Sequence, residues 1–283
     1  MTPMACRHEQ SALSSERREQ GGNMRILITN DDGINAPGLK TLQKIAETLA
    51  GAAGDVWTVA PSTERSGVAH AISLSSPVLI SQLGPRSFSI DGYPADCVLA
   101  GLHHILKDSP PDIILSGVNR GNNSAENAVY SGTLGAAIEG ALQGVPSFAL
   151  SQYLGPNNVN IDDPFEASAT YGAEIVQAVL SAHPPASQEY QLFYNINFPP
   201  CPAECVKGRK LATQGFRRGC NFSTEPYTAA SRRNFLFIKG GDQQVATAPE
   251  SDAAVNLENY ISITPMRADF TDHKALHDLK AIE

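Results

Sequence analysis

Short apolar runs and longer amphipathic stretches take turns along this chain, and the spacing of their apolar positions switches between strand-like and helix-like periods. "RILIT" from Arg25 is the first predicted strand, and "DVWTVAP" from Asp55 is the second. Between them Pro37 opens a predicted helix, with Leu39, Leu42, Ile45, Ala46 and Leu49 on one face. "VLISQLGPRSFSID", from Val78 to Asp91, reads as a hairpin around Gly84 and Pro85, and a helix is predicted from Pro94 to about Lys107. "DIILS" from Asp112 and "PSFALS" from Pro146 are buried strands, separated by a helix that begins near Thr133. Phe165, Ala169, Val176, Val179 and Leu180 mark a further amphipathic helix, followed by the strand "LFYNINFP" from Leu192.

Strands alternating with helices predict an α/β fold built on a mostly parallel sheet flanked by helices. Beyond residue 200 the pattern changes to short β-like runs such as "NFLFIKG" and "NYISITP" among Gly, Pro and polar residues. These are expected to form hairpins projecting from the core, before a last helix over Thr271 to Ile282. The expected organisation is an N-terminal extension over 1–23, an α/β core over 24–200, and a C-terminal hairpin region with a helix over 201–283.

A chain of 283 residues with 42% hydrophobic content can bury a sizeable core. Residues 1–23 are polar, lack a period, and read as a disordered extension, with Met24 as the expected functional start. They also lack the apolar stretch of a secretory signal, and no window reaches the roughly 18 apolar residues of a membrane span. Five cysteines without a repeated spacing fit reduced thiols in a cytoplasm, and "CPAEC" has no second ligand pair to complete a zinc site. The net charge of −8 argues against a nucleic-acid groove, because duplex binding draws on dense Lys and Arg.

The chemistry collects in loops after predicted strands. These are "NDDG" from Asn30, "PSTERSG" from Pro61 and "SGVNRGNN" from Ser116. In open α/β sheets ligands bind beyond the carboxyl ends of strands, so these loops are expected to converge. They supply carboxylates, hydroxyls and amides, the oxygen donors that suit a hard divalent cation such as Mg²⁺ or Mn²⁺. Asp31 and Asp32 would repel one another at a strand end unless a cation lay between them. The alternative is that they only cap the following helix.

Three neighbouring readings fail on residue detail. Leu39 separates Gly38 from Lys40 and turns the lysine by about 100° from a P-loop position. Asn30 occupies the place of the nucleophilic aspartate of a haloacid-dehalogenase-like phosphatase, and an amide cannot form an acyl-phosphate. No GxGxxG follows the first strand. By contrast, Ser131, Gly132 and Thr133 of "YSGTLGAAIEG" stand where a helix should begin, so free N–H groups, hydroxyls and the positive dipole end can receive a phosphate. A cation beside a phosphate cradle, with no evident covalent nucleophile, points to hydrolysis of a phosphate ester by metal-activated water.

Together "ILITNDDG", "APSTERSG", "DGYPADCV", "SGVNRG", "YSGT" and "ISITP" resemble, in order, the motifs of the SurE family, the survival-protein 5′/3′-nucleotidases. The resemblance implies a Rossmann-like core whose projecting C-terminal region helps to form homodimers or homotetramers. It further implies one divalent metal ion per subunit, held by Asp31, Asp32, Ser66 and Asn119. Nucleoside monophosphates are the implied substrates, with short polyphosphate in some members. On the same basis Asn123, Ser131, Gly132 and Thr133 bind phosphate, and Asp31, Asn119, Asn123 and Ser131 form the catalytic set. The rival from another class is a nucleotide-binding regulatory protein without turnover. Two positions depart from the family's pattern: Asn122 stands where a proline commonly follows "NRG", and Asn127 where an aspartate precedes "YSGT". His70, Arg232 and Arg233 are secondary candidates. His273 and His277, four apart on the last helix, read as a solvated face.

Overall fold

The computed structural model describes residues 24–182, 190–220 and 222–282, so the expected N-terminal extension lies outside the described residues. The main sheet runs in the order β3-β4-β2-β1-β5-β6-β7-β11-β8. Its central strands are β1 (Arg25–Thr29), β2 (Asp55–Pro61), β5 (Ile113–Arg120), β6 (Ser147–Gln152) and β7 (Phe193–Phe198), all parallel to their neighbours in this group. β3 (Ile80–Gly84) and β4 (Ser87–Ile90) form the expected hairpin, and β4 joins β2 in parallel.

Period-two alternation in the central strands sorts the core onto two faces. Ile26, Ile28, Ile113 and Leu115 point to one face, where they meet Leu39, Leu42 and Ile45 of α1 (Pro37–Ala50). Ile175 and Val176 of a longer helix over Glu166–Ala182 join the same cluster. Leu27 and Ile114 point to the other face, against Cys97 and Val98 of α2 (Pro94–Ala100). Each fully buried Leu or Ile here stabilises the fold by about 1.5–3 kcal/mol relative to exposure. Two short helices, α3 (Asn127–Tyr130) and α4 (Gly132–Leu142), lie between β5 and β6. The helix over Glu166–Ala182 is α5.

Three expectations are corrected. The helix from Pro94 ends at Ala100 and continues as a π-helical turn over Gly101–Ile105 rather than running to Lys107. "ISITP" does not project. It lies in β11 (Ile261–Met266), antiparallel to β7 within the main sheet, and β8 (Arg209–Leu211) pairs beyond it. The last helix is shorter than expected: α7 covers His273–Asp278, with a 3₁₀ turn over Lys280–Ile282. In this region the short α6 (Asp252–Leu257) precedes β11. The projecting element is a single hairpin of β9 (Ser223–Thr228) and β10 (Asn234–Lys239), a separate antiparallel sheet exposed along its length.

Candidate active site

β1 is the point at which the sheet's strand order reverses, with β2 on one side and β5 on the other. Open α/β sheets bind ligands at such a point, beyond the strands' carboxyl ends. Asp31 and Asp32 follow β1 there. The turn beneath them is held by Asn30, which is fully buried and donates from Nδ2 to the Gly33 carbonyl at 2.9 Å. Asn30 thus has a structural task at the position where a phosphatase nucleophile would stand. Gly33 has φ +98°, and a Cβ on it would come within 3.2 Å of the Thr63 backbone, so the first two loops pack through a glycine.

The three loops expected to converge do so through hydrogen bonds. The Arg65 N–H donates to the Asp31 carbonyl at 2.7 Å, joining the loop after β2 to the loop after β1. The Arg120 N–H at the end of β5 donates to Asp32 Oδ2 at 3.1 Å. From α4, Thr133 Oγ1 donates to Asp31 Oδ1 at 2.6 Å, and the Thr133 N–H also faces that carboxylate. Asp31 is therefore 4% exposed, at the positive end of a helix.

Burial pushes the Asp31 carboxyl up to about 6, against the opposing Thr133 hydroxyl and with the charge of Asp32 adding to the rise. Burial also raises Asp32, opposed by the Arg120 N–H and reinforced by the charge of Glu64. Two neighbouring carboxylates, both resisting ionisation, are an arrangement that a bound cation relieves.

The remaining candidates are placed as follows. Asn119 is the penultimate residue of β5, just after a shift in its register with β6, and its Nδ2 donates to the Gly121 carbonyl at 2.9 Å, which leaves the oxygen end of the amide for a cation. Ser66 is exposed, and its hydroxyl donates to Glu64 Oε1 at 2.8 Å. Asn123 is buried, and one of its amide hydrogens goes to Ser151 Oγ at 2.8 Å. Ser131 caps α4 by accepting the Leu134 N–H at 3.1 Å. Gly132 sits directly against Asp31: a Cβ there would lie 2.9 Å from the Asp31 Cβ and 3.1 Å from Val68 Cγ2. Among the described residues no group of three His, Cys, Asp or Glu could hold a metal ion. The oxygen set of two aspartates, an asparagine and a serine instead fits a hard cation in its chemistry.

Of the secondary candidates, His70 pairs through Nε2 with Glu139 Oε2 of α4 at 2.8 Å, which ties the end of the β2 loop to the helix whose first turn meets Asp31. Arg232 and Arg233 lie at the exposed tip of the β9–β10 hairpin. Cys201 and Cys205 of "CPAEC" are free thiols. The sequence reading missed Asn195 and Asn197, both fully buried in β7. Asn197 Oδ1 accepts the Asn123 N–H at 2.7 Å, and Asn195 Nδ2 donates to the Asn123 carbonyl at 2.9 Å. Their signal was present in "LFYNINFP": two polar residues on one face of an otherwise apolar strand require buried partners.

Comparison with known proteins places the chain in a family. The family model for survival protein SurE matches residues 26–221. The 5′-nucleotidase SurE of Roseobacter denitrificans is 62% identical over 259 residues, covering 92% of this chain and 99% of that protein. The protein of the same name from Ruegeria sp. is 62% identical over 260 residues, covering 92% of this chain and all of its own length at 100%. Among solved structures, the SurE protein from Aquifex aeolicus superposes with a TM-score of 0.75 at 32% identity, covering 91% of this chain and 99% of the other. With the family model spanning most of the chain and relatives this similar over nearly their whole length, the chain belongs to the SurE family.

Proposed function

We propose that the protein is a metal-dependent 5′-nucleotidase, a phosphomonoesterase that hydrolyses nucleoside 5′- and 3′-monophosphates without a phosphoenzyme, with short polyphosphate as a further substrate. The observation that carries this reading is the Thr133–Asp31 hydrogen bond, because it joins the helix N-terminus suited to a phosphate to the carboxylate pair suited to a cation.

One Mg²⁺ or Mn²⁺ per subunit, held by Asp31, Asp32, Ser66 and Asn119, would polarise the phosphoryl group and lower the pKa of water. The chain's own groups do the rest. The first turn of α4 receives the phosphate at its positive dipole end with the Gly132 N–H and the Ser131 hydroxyl, while Thr133 holds Asp31 beside it. Asn123, its backbone fixed by the two β7 asparagines, offers its second amide hydrogen to a phosphate oxygen. Asp31 Oδ2, the oxygen not bonded to the Thr133 hydroxyl, accepts the proton of the attacking water. A water–phosphorus bond forms, the bond to the nucleoside oxygen breaks, and that oxygen takes a proton from solvent.

The β9–β10 hairpin exposes Tyr227, Phe235, Leu236, Phe237 and Ile238, an apolar surface that supports assembly as a homodimer or homotetramer. No described helix is long and apolar enough to cross a membrane. The free thiols among the described cysteines support a cytoplasmic location. Phosphate release from a panel of nucleoside monophosphates, with and without Mn²⁺ or Mg²⁺, tests the reading. Metal-dependent release is expected, whereas binding of the same nucleotides without release would instead favour the non-catalytic regulator.

A further inference from the structure

The two departures from the family's pattern, Asn122 and Asn127, fall in one hydrogen-bonded cluster with the C-terminal region. Arg217, between β8 and β9, is fully buried, and its guanidinium is surrounded by acceptors. Nη2 donates to Asn122 Oδ1 at 3.1 Å and Ser124 Oγ at 2.8 Å. Nη1 donates to the Ser124 carbonyl at 3.2 Å and Glu126 Oε1 at 3.1 Å, and Nε to the Gln243 carbonyl at 3.1 Å. The Arg217 N–H adds Glu126 Oε2 at 2.9 Å. Gln243, between β10 and α6, accepts at Oε1 from Asn127 Nδ2 at 2.6 Å. Asp252 of α6 accepts the Ala125 N–H at 3.0 Å, and Gln214 Nε2 donates to the Ala125 carbonyl at 3.0 Å.

A buried guanidinium destabilises a fold unless its donors are met in good geometry, and Arg suits such a site because its fork is planar and rigid. Here the fork grips one short loop, Asn122–Asn127, from outside the apolar core. Ala125 within that loop has φ +54°, a left-handed backbone that a residue with a Cβ resists and that the Asp252 and Gln214 bonds hold. The gripped loop contains Asn123 and leads through α3 to the Ser131 cap. The carboxylate pair, by contrast, hangs from β1 and makes no bond to this cluster among those described.

We propose that Arg217 is a positioning residue for phosphate: with Gln243, Asp252 and Gln214 it forms a clamp, at the root of the β9–β10 hairpin, that sets the Asn122–Asn127 loop and through it the phosphate contacts of Asn123 and Ser131. The proposal rests on the nucleotidase reading above. It predicts a separation of effects, because the clamp's bonds reach the loop that carries Asn123 and none of them reaches the Asp31–Asp32 pair, which β1 places.

The test is Arg217→Lys, which keeps the charge and loses the fork, assayed with adenosine 5′-monophosphate and Mn²⁺. KM and the inhibition constant of inorganic phosphate should both rise about tenfold, while kcat changes less than about threefold and the Mn²⁺-induced rise in Tm stays as in wild type. Lys210→Gln, which breaks the exposed Lys210–Glu258 pair in the same region, is the control and should match wild type. Unchanged KM and phosphate inhibition in Arg217→Lys, a parallel loss of the Mn²⁺ response, or the same defect in the control would each overturn the clamp. If Arg217→Lys does not fold, Gln243→Leu removes the acceptor that Asn127 and Asn122 share and the donor to the Gly241 carbonyl, while keeping the backbone carbonyl that receives Arg217 Nε, and a KM rise of about threefold is then expected; no rise overturns the proposal. If wild type releases no phosphate, the nucleotidase reading fails, and the clamp is judged by amide exchange. Lost protection over residues 122–127 in Arg217→Lys supports it, and unchanged protection overturns it.

Discussion

The cation side and the phosphate side of the site are built by different means. Asp31 and Asp32 are carried on the end of β1, a strand buried from Ile26 to Thr29 at the centre of the sheet, so the sheet itself places them. The phosphate side is half helix and half loop: α4 is anchored by its buried small residues, but Asn123 depends on Asn195, Asn197 and Ser151 for its position. One side thus inherits rigidity from hydrophobic packing and the other from a polar network. They meet at Thr133 and Asp31. Perturbing the first should affect cation response and turnover together, and perturbing the second should affect phosphate affinity.

The largest effect is expected from Asp32→Asn, which keeps shape and removes one of the two adjacent charges. The metal-free variant should melt at or slightly above wild type, because like-charge repulsion is relieved. Activity should fall about a thousandfold, and most of the Tm rise that Mn²⁺ gives wild type should disappear. A fully active, metal-responsive variant would remove the cation from the reading. Next in size is Gly132→Ala. Its new methyl would lie 2.9 Å from the Asp31 Cβ, closer than such carbons approach, and a displaced catalytic carboxylate costs about a hundredfold in rate. Steady-state kinetics would show this, and wild-type kcat/KM would show that Asp31 tolerates displacement.

In the metal-free protein the difference between wild type and Asp31→Asn separates Asp31 from Asp32, which burial also raises. Its carboxyl is raised from 3.8 to about 6 in the fold, so between those pH values the native state holds a proton that the unfolded chain has released. Stability from this group is present below about pH 4 and is lost as pH rises through about 6, by about 3 kcal/mol in all. Urea titrations of metal-free wild type and Asp31→Asn across that window check it: the loss should be about 3 kcal/mol smaller in the variant, where the raised Asp32 carboxyl still titrates. Identical pH dependence in the two would mean that Asp31 is not protonated in the fold.

How much of this was legible in the sequence follows the same division. "RILITNDDG" could be read because a strand end, a turn and a charge pair are local, and "YSGT" because a helix start is local. Long-range polar support could not. Arg217 sits in a Gly-rich polar segment that looks solvated, yet it bonds Glu126 across 91 positions. β11 was misplaced because "NYISITP" is a short run among Gly, Pro and polar residues, and a proline at position 265 is itself unusual in an interior strand. β8 pairs only Ile261–Ile263, so Pro265 lies beyond its reach and blocks no ladder on that side. The helix from Pro94 was overextended because apolar spacing continues through Leu102 and Leu106, while the backbone widens to a π-helical turn at Gly101.

The smallest expected effect lies where the two sides join. Thr133→Val nearly keeps volume and removes the hydroxyl that donates to Asp31 Oδ1, while the Thr133 N–H still faces the carboxylate. A hydrogen bond to a charged group contributes about 1.5–3 kcal/mol, so a loss of about tenfold in kcat/KM is expected. The hydroxyl also lowers the Asp31 carboxyl against the effect of burial, so without it the carboxyl should rise further. The acid limb of the pH–rate profile should then move to higher pH, and wild-type rates should be approached as the pH is raised. A variant defective only in phosphate cradling would instead lose the same factor at every pH. A pH-independent loss would therefore place Thr133 wholly on the phosphate side, and a shifted limb would place it on both.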